Sequence, residues 1–262
     1  MLKLDTNNIS READIFKLNK FVYNSHDSVL VNGVIYFFAN NLMYSYSVFT
    51  KKFIGQTSLP YTSQNINGGS CACNFMSKVY IMGGDVSQKS CHAFDPKTNT
   101  WKEIKMMKTR RAYAACTVFG GKIIVSGGCE SDTSNLNTVE VYDTFSNEWS
   151  HMPNMLDKRV MHESVSIRNK LYVIGGTRRQ QIEVYDSFSQ VFVRILPKMP
   201  PFSYWYYSTE CVAIGSKLFV FKNGKLDKNI VFDVEKGEWS EVIKNISKTK
   251  PLQTFWLKLP KF

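Results

Sequence analysis

Histidine is scarce in this chain: four residues in 262, with His26, His92, His151 and His162 standing far apart. A metal centre needs several convergent ligands with support behind them, so no histidine-based metal site is expected, and no cofactor. Cys71, Cys73, Cys91, Cys116, Cys129 and Cys211 include no Cys-x-x-Cys pair. That removes the usual zinc and dithiol-redox patterns and leaves reduced thiols as the expectation. Long apolar runs are missing too. Nothing approaches the roughly 18–20 residues of a membrane span, and Met1–Asn7 holds no apolar core of a secretory signal. The expectation is a soluble, unexported protein of the cytoplasm or nucleus, with no membrane contact.

Acidic residues are also in short supply, 22 against 33 lysines and arginines, which leaves a net charge of +11. Such a surface steers acidic partners toward it without specifying a fold. Nucleic acid is not the expected partner, because no recognition helix, zinc finger or aromatic RNA-binding signature accompanies the charge. Helical i, i+3, i+4 periodicity is absent as well, and short apolar runs between turn residues point to an all-β chain.

What the chain does contain is a repeat. Lys78-Val79-Tyr80-Ile81-Met82-Gly83-Gly84 leads to Phe94-Asp95 and Trp101. Lys122-Ile123-Ile124-Val125-Ser126-Gly127-Gly128 leads to Tyr142-Asp143 and Trp149, and Lys170-Leu171-Tyr172-Val173-Ile174-Gly175-Gly176 leads to Tyr185-Asp186 and Phe192. Weaker copies flank these. Aligned on Tyr36, Tyr80, Ile124, Tyr172 and Phe219, or on Phe53, Trp101, Trp149, Phe192 and Trp239, the units fall 43 to 48 residues apart. A unit of that length predicts four strands, for example Ala114 to Phe119, Lys122 to Ser126, Val139 to Tyr142 and Glu148 to Ser150. One such sheet has two apolar faces and must pack against copies of itself, which predicts blades arranged as a propeller. Paired glycines allow a left-handed turn and close approach of a neighbour. Asp95, Asp143, Asp186 and Asp233 open turns and are read as structural, not catalytic.

These motifs resemble the kelch repeat, and Met-Met-Lys-Thr-Arg-Arg-Ala-Tyr at 106–113 looks like the kelch-like substrate-receptor branch. The match covers roughly residues 20 to 240, as a single domain with repeats near 20–59, 60–107, 108–155, 156–200 and 201–243. Ala39-Asn40 and Lys222-Asn223 replace the glycine pair in the first and last units. The resemblance favours six blades, one built from residues 1–19 and 244–262, over a five-bladed or incomplete ring. It implies a protein-binding module that captures a partner or substrate protein, as in ubiquitin-ligase substrate receptors. Without BTB and BACK domains, no direct cullin docking is expected. Other members imply other roles: a cytoskeletal scaffold binding actin, or an enzyme such as a sugar isomerase or copper oxidase. No Gly-Lys-Ser/Thr follows the glycine pairs and no nucleophile–base arrangement stands out, so no catalytic residue is proposed.

Sixteen residues before the first glycine of each pair, or its equivalent, stand Tyr23, Asn67, Arg111, Arg159 and Tyr206. In the family this register carries arginines that hold acidic groups of bound peptides, a task suited to a planar guanidinium fork. The resemblance therefore nominates these five, with Arg178 and Arg179, as contacts for a protein bearing an acidic linear motif. Arg110 and Lys158 would add charge at the same mouth. The competing expectation for Arg111 and Arg159 is an internal brace to a neighbouring blade's carboxylate.

Overall fold

The computed structural model describes residues 28–39, 42–60, 69–84, 88–131, 133–176, 181–196, 198–200, 210–221 and 229–241. Their regular elements are all strands. The first blade comprises β1 (Ser28–Val31), β2 (Val34–Ala39), β3 (Leu42–Ser47) and β4 (Lys52–Ser58). The second has β5 (Ser70–Phe75), β6 (Lys78–Gly83), β7 (Cys91–Asp95) and β8 (Thr100–Ile104), and the third β9 (Ala115–Phe119), β10 (Lys122–Ser126), β11 (Val139–Asp143) and β12 (Glu148–Met152). In the fourth are β13 (His162–Ile167), β14 (Lys170–Gly175), β15 (Glu183–Asp186) and β16 (Val191–Arg194), and in the fifth β17 (Glu210–Ile214), β18 (Lys217–Phe221), β19 (Ile230–Asp233) and β20 (Glu238–Glu241).

Within each blade the strands pair antiparallel in chain order. The first strands, β1, β5, β9, β13 and β17, meet one another in succession, so they lie innermost and the fourth strands lie at the rim. Five propeller blades agree with the five-bladed alternative. The sixth blade expected from 1–19 and 244–262 lies outside the described residues.

Burial explains why the second strand of each blade reads as an unbroken apolar run. Side chains alternate across a strand, and here both faces are covered. Val79 and Ile81 of β6 join the core shared with the first blade, whereas Tyr80 and Met82 join the core shared with the third. Strand β14 repeats the division, with Leu171 and Val173 on one side and Tyr172 and Ile174 on the other. The aromatics of the repeat pack as cross-strand pairs between third and fourth strands: Phe94–Trp101, Tyr142–Trp149 and Phe232–Trp239 have ring centroids 5.1, 5.0 and 5.0 Å apart. Such pairs add to their area burial through ring geometry.

Two kinds of turn close the hairpins. Between first and second strands, Asn32-Gly33, Met76-Ser77, Gly120-Gly121 and Arg168-Asn169 all have positive φ at both positions. This geometry matches the right-handed twist of the flanking strands. Between third and fourth strands the aspartates act as the sequence suggests: Asp143 Oδ1 accepts the amides of Phe145 and Ser146 at 2.9 and 3.3 Å. Lys122, 3.0 Å from Oδ2, and then these amides hold the Asp143 carboxyl below its ordinary range.

Gly127 shows what the glycine pair is for. Its φ is +58°, and an added Cβ would meet the Arg159 carbonyl oxygen at 2.5 Å and His162 Cε1 at 2.7 Å. Gly120 has a similar φ of +57° but open space around it. Gly127→Ala is expected to lower unfolding free energy by about 2–3 kcal/mol, and Gly120→Ala by about 1 kcal/mol, from backbone strain alone. Equal losses in denaturant titrations would show that close packing at Gly127 is unimportant.

Candidate functional site at the propeller mouth

The segments leading into β9 and β13 are built alike. Met107 and Met155 are buried in the cores between blades, anchoring each segment at its start. Four residues later come Arg111 and Arg159, exposed by 0% and 1%. A desolvated guanidinium requires a carboxylate and a full set of acceptors. Both are present.

Glu140 on β11 receives Arg111 Nε and Nη2 on Oε1 at 3.2 and 3.1 Å. The same carboxylate accepts the Lys108 amide at 2.8 Å and the Thr109 amide at 3.0 Å. Arg111 Nη1 donates to the carbonyls of Gly127 and Thr138 at 2.7 and 2.9 Å, and Nη2 also donates to Thr138 Oγ1 at 2.8 Å. A guanidinium has five N–H donors, and all five are engaged. Burial pulls the Arg111 pKa below its ordinary value, and Glu140 opposes that shift.

The fourth blade repeats the arrangement. Glu183 on β15 accepts Arg159 Nε and Nη2 at 3.1 and 2.8 Å and the amides of Leu156 and Asp157 at 2.6 and 3.1 Å. Arg159 Nη1 and Nη2 also donate to the Gly175 and Gln181 carbonyls. The backbone of each arginine faces the other way: the Gly84 amide donates to the Arg111 carbonyl at 2.9 Å, and Gly128 to that of Arg159 at 2.8 Å. Each lead-in segment thus ties its own blade, through the side chain, to the preceding blade's glycine pair.

The expectation that Arg111 and Arg159 offer their guanidiniums to a partner is corrected by this geometry: both are internal braces. The carboxylate they use belongs to their own blade, not to a neighbour. Tyr23, Asn67, Tyr206, Arg178 and Arg179 lie outside the described residues. Glu140 and Glu183 were missed in the sequence although a signal for them exists. Each stands three residues before the turn aspartate, and only the two units with arginine in the first register have glutamate there; the others pair Tyr23 with Tyr44, Asn67 with His92 and Tyr206 with Ile230.

One residue before each brace, Arg110 and Lys158 are exposed. Two residues after it, Tyr113 and Met161 adopt φ of 54° and 55°. Bulky residues seldom enter this region, and such strain collects at functional positions. A backbone relay holds them: the Tyr113 amide donates to the Gly69 carbonyl at 2.6 Å, and the Met161 amide to the Tyr113 carbonyl at 3.0 Å. Gly69 is the equivalent residue one blade earlier, so the relay runs across three successive inner strands around the axis. Both side chains are half-buried. Exposed Glu130, Ser131, Thr133 and Asn135 of the β10–β11 loop stand beyond Cys129, which pairs with Ala112 of the lead-in segment.

His162 lies beneath this mouth, not in it. Its Nε2 is 2.9 Å from Ser126 Oγ, which is 2.8 Å from Ser164 Oγ. Burial, followed by the charges of Arg159 and Arg111, pushes its pKa down to about 3. Among the described residues no group of three His, Cys, Asp or Glu is placed to hold a metal ion. None of the six cysteines is in a disulfide, and Cys116 and Cys211 are buried packing residues.

Two outcomes are expected. Glu140→Ala should destabilise the fold by about 3–5 kcal/mol, because it leaves a buried charge unpaired, whereas Arg110→Ala should stay within about 0.5 kcal/mol. Similar losses in denaturant unfolding would refute the division between brace and surface residue. His162 remains neutral in the folded protein while the unfolded chain binds its proton near the ordinary value of 6.5, so its contribution is complete above pH 6.5 and is lost as pH falls toward about 3. Unfolding titrations over that window should show a shallower fall for His162→Gln than for the native sequence; parallel curves would contradict the assignment.

Comparison with known proteins gives a consistent picture. The KLHDC2/KLHL20/DRC7 Kelch-repeats domain family matches residues 25–221. Kelch-like protein 40 of Xenopus tropicalis is 36% identical over 102 residues, which is 37% of this chain and 16% of that protein. Kelch-like protein 23 of Homo sapiens is 32% identical over 117 residues, 44% of this chain and 21% of that protein. An F-box/kelch-repeat protein of Arabidopsis thaliana, At4g39580, is 33% identical over 104 residues, 37% of this chain and 28% of that protein. The matched segment is thus a small part of each relative. Among solved structures, "Structure of YjhT" aligns with a TM-score of 0.57 and 17% identity over 69% of this chain and 66% of that one, a likeness of fold.

Proposed function

This chain belongs to the KLHDC2/KLHL20/DRC7 Kelch-repeats domain family, and from that premise we propose that it is a non-catalytic protein-binding module holding its partner at the propeller mouth. The observation that carries the reading is the pairing of Arg110 with Lys158. Both cations are exposed at equivalent positions, directly before arginines whose own charge is neutralised inside the blades. Three residues after each cation, Tyr113 and Met161 sit on strained backbone and supply half-buried contact area of the kind that anchors interfaces.

The partner we propose carries an acidic linear motif. Support comes from the chain's net charge of +11 and from these two mouth cations; Arg178 and Arg179, which follow the Gly175-Gly176 pair in sequence, belong to the same proposed contact set. The ligand-capturing half of a ubiquitin-ligase substrate receptor is the cellular role we assign, carried over from the relatives. Direct contact with a cullin is not part of the proposal.

Affinity capture with mass spectrometry, run with the native chain and with Arg110→Glu/Lys158→Glu, tests this reading. The double reversal should remove proteins bearing acidic motifs from the captured set while leaving the thermal transition in place. Unchanged capture, or recovery that disappears on ribonuclease treatment, would count against it.

A further inference from the structure

The β10–β11 loop joins the two segments that carry the exposed mouth cations. At one end Cys129 and Ala112 exchange both backbone hydrogen bonds, at 2.8 and 2.9 Å, which ties the loop to the segment bearing Arg110. At the other end the Arg159 amide, directly after Lys158, donates to the Leu136 carbonyl at 3.0 Å. Between these ties the loop folds on itself: the Leu136 amide donates to the Gly128 carbonyl, Glu130 to Ser134 and Ser134 to Ser131, at 2.8, 3.0 and 3.1 Å. The loop is therefore held in place before any partner arrives, which reduces the ordering cost of binding.

Among the described residues of this loop Glu130 is the one charged side chain, and it is exposed. It follows Cys129 as Arg111 precedes Ala112, so the two flank the same backbone pair. Burial lowers the Arg111 pKa, and Glu130 joins Glu140 in opposing that shift, which sets its charge beside the brace. The brace does not use it. All five Arg111 N–H groups are committed to Glu140, Gly127 and Thr138. Among the described residues Glu130, Arg110 and Lys158 make no ion pair. An unneutralised carboxylate thus stands on the loop that bridges two unneutralised cations.

We propose, resting on the acidic-motif reading above, that Glu130 makes the mouth alternate in sign and selects a partner segment in which acidic residues flank a basic one. An unbroken run of carboxylates lying across Arg110 and Lys158 sets a like charge against Glu130, and such contacts suppress wrong partners. A lysine or arginine at that point of the partner turns the same contact into an attraction, while the acidic residues on either side meet Arg110 and Lys158. The net charge of +11 draws acidic segments in general, and Glu130 sorts among them.

A synthetic peptide library in which every position is glutamate, serine or lysine tests the proposal, probed with the native chain, Glu130→Gln and Glu130→Lys. The native chain should favour peptides with lysine between glutamates over unbroken glutamate runs by roughly fivefold, the scale of one exposed charge pair. Glu130→Gln should lose that preference and Glu130→Lys should reverse it, with the thermal transition unchanged in both because the side chain is exposed. Glutamate peptides that bind but rank alike for the native chain and folded Glu130→Lys overturn the selection by Glu130 alone. A native chain that binds no glutamate peptide removes the acidic-motif reading and this proposal with it.

Discussion

A desolvated arginine that can be satisfied in only one way governs the geometry of this mouth. Arg111 and Arg159 are removed from water, and each finds its acceptors in a single place: a glutamate on its blade's third strand and carbonyls at the end of the second. Replacing a buried ion pair by apolar residues often stabilises a protein, whereas breaking one partner is severely destabilising. The pair is therefore better understood as a device that fixes one conformation. The glutamates also bind two amides of the lead-in segment each, and the arginine carbonyls accept from the preceding blade's glycine pair. A segment without regular structure is thereby held as firmly as a strand.

From that brace the rest of the mouth follows. With the arginine side chain directed inward, the preceding residue is turned to solvent, which leaves Arg110 and Lys158 exposed at equivalent positions of the two blades. The two residues that follow carry the chain onto the axis, where Tyr113 and Met161 accept positive φ because their amides bond to the blade before. The glycine pair must stay bare, since a side chain at Gly127 would occupy the space of the Arg159 carbonyl. Brace, glycine pair and strained backbone are one mechanical unit.

Much of the fold was legible in the sequence because its causes are local and repeated. Strand β10 was read as Lys122 to Ser126 and is found there, and the third-blade neighbours shift by one or two residues at their ends. Apolar runs bounded by lysine and paired glycine announce a strand buried on both faces, and Asp143 or Asp186 announces the turn that follows. The mouth was less legible. A register of recurring arginines marks a position under selection by geometry, but it does not say whether the guanidinium points toward solvent or toward a glutamate 24 to 29 residues further along the chain. Only the joint occurrence of Arg111 with Glu140 and of Arg159 with Glu183 carries that information. The strain at Tyr113 and Met161 left no trace in residue type, because glycine occurs at only one of the three equivalent positions.

Native-state hydrogen exchange, read amide by amide, tests the brace most directly. The amides of Lys108 and Thr109, and of Leu156 and Asp157, lie in connecting segments yet donate to buried carboxylates. They are predicted to exchange only through global unfolding, with the protection of the core strands. Exchange at the rate of open loops would contradict the account.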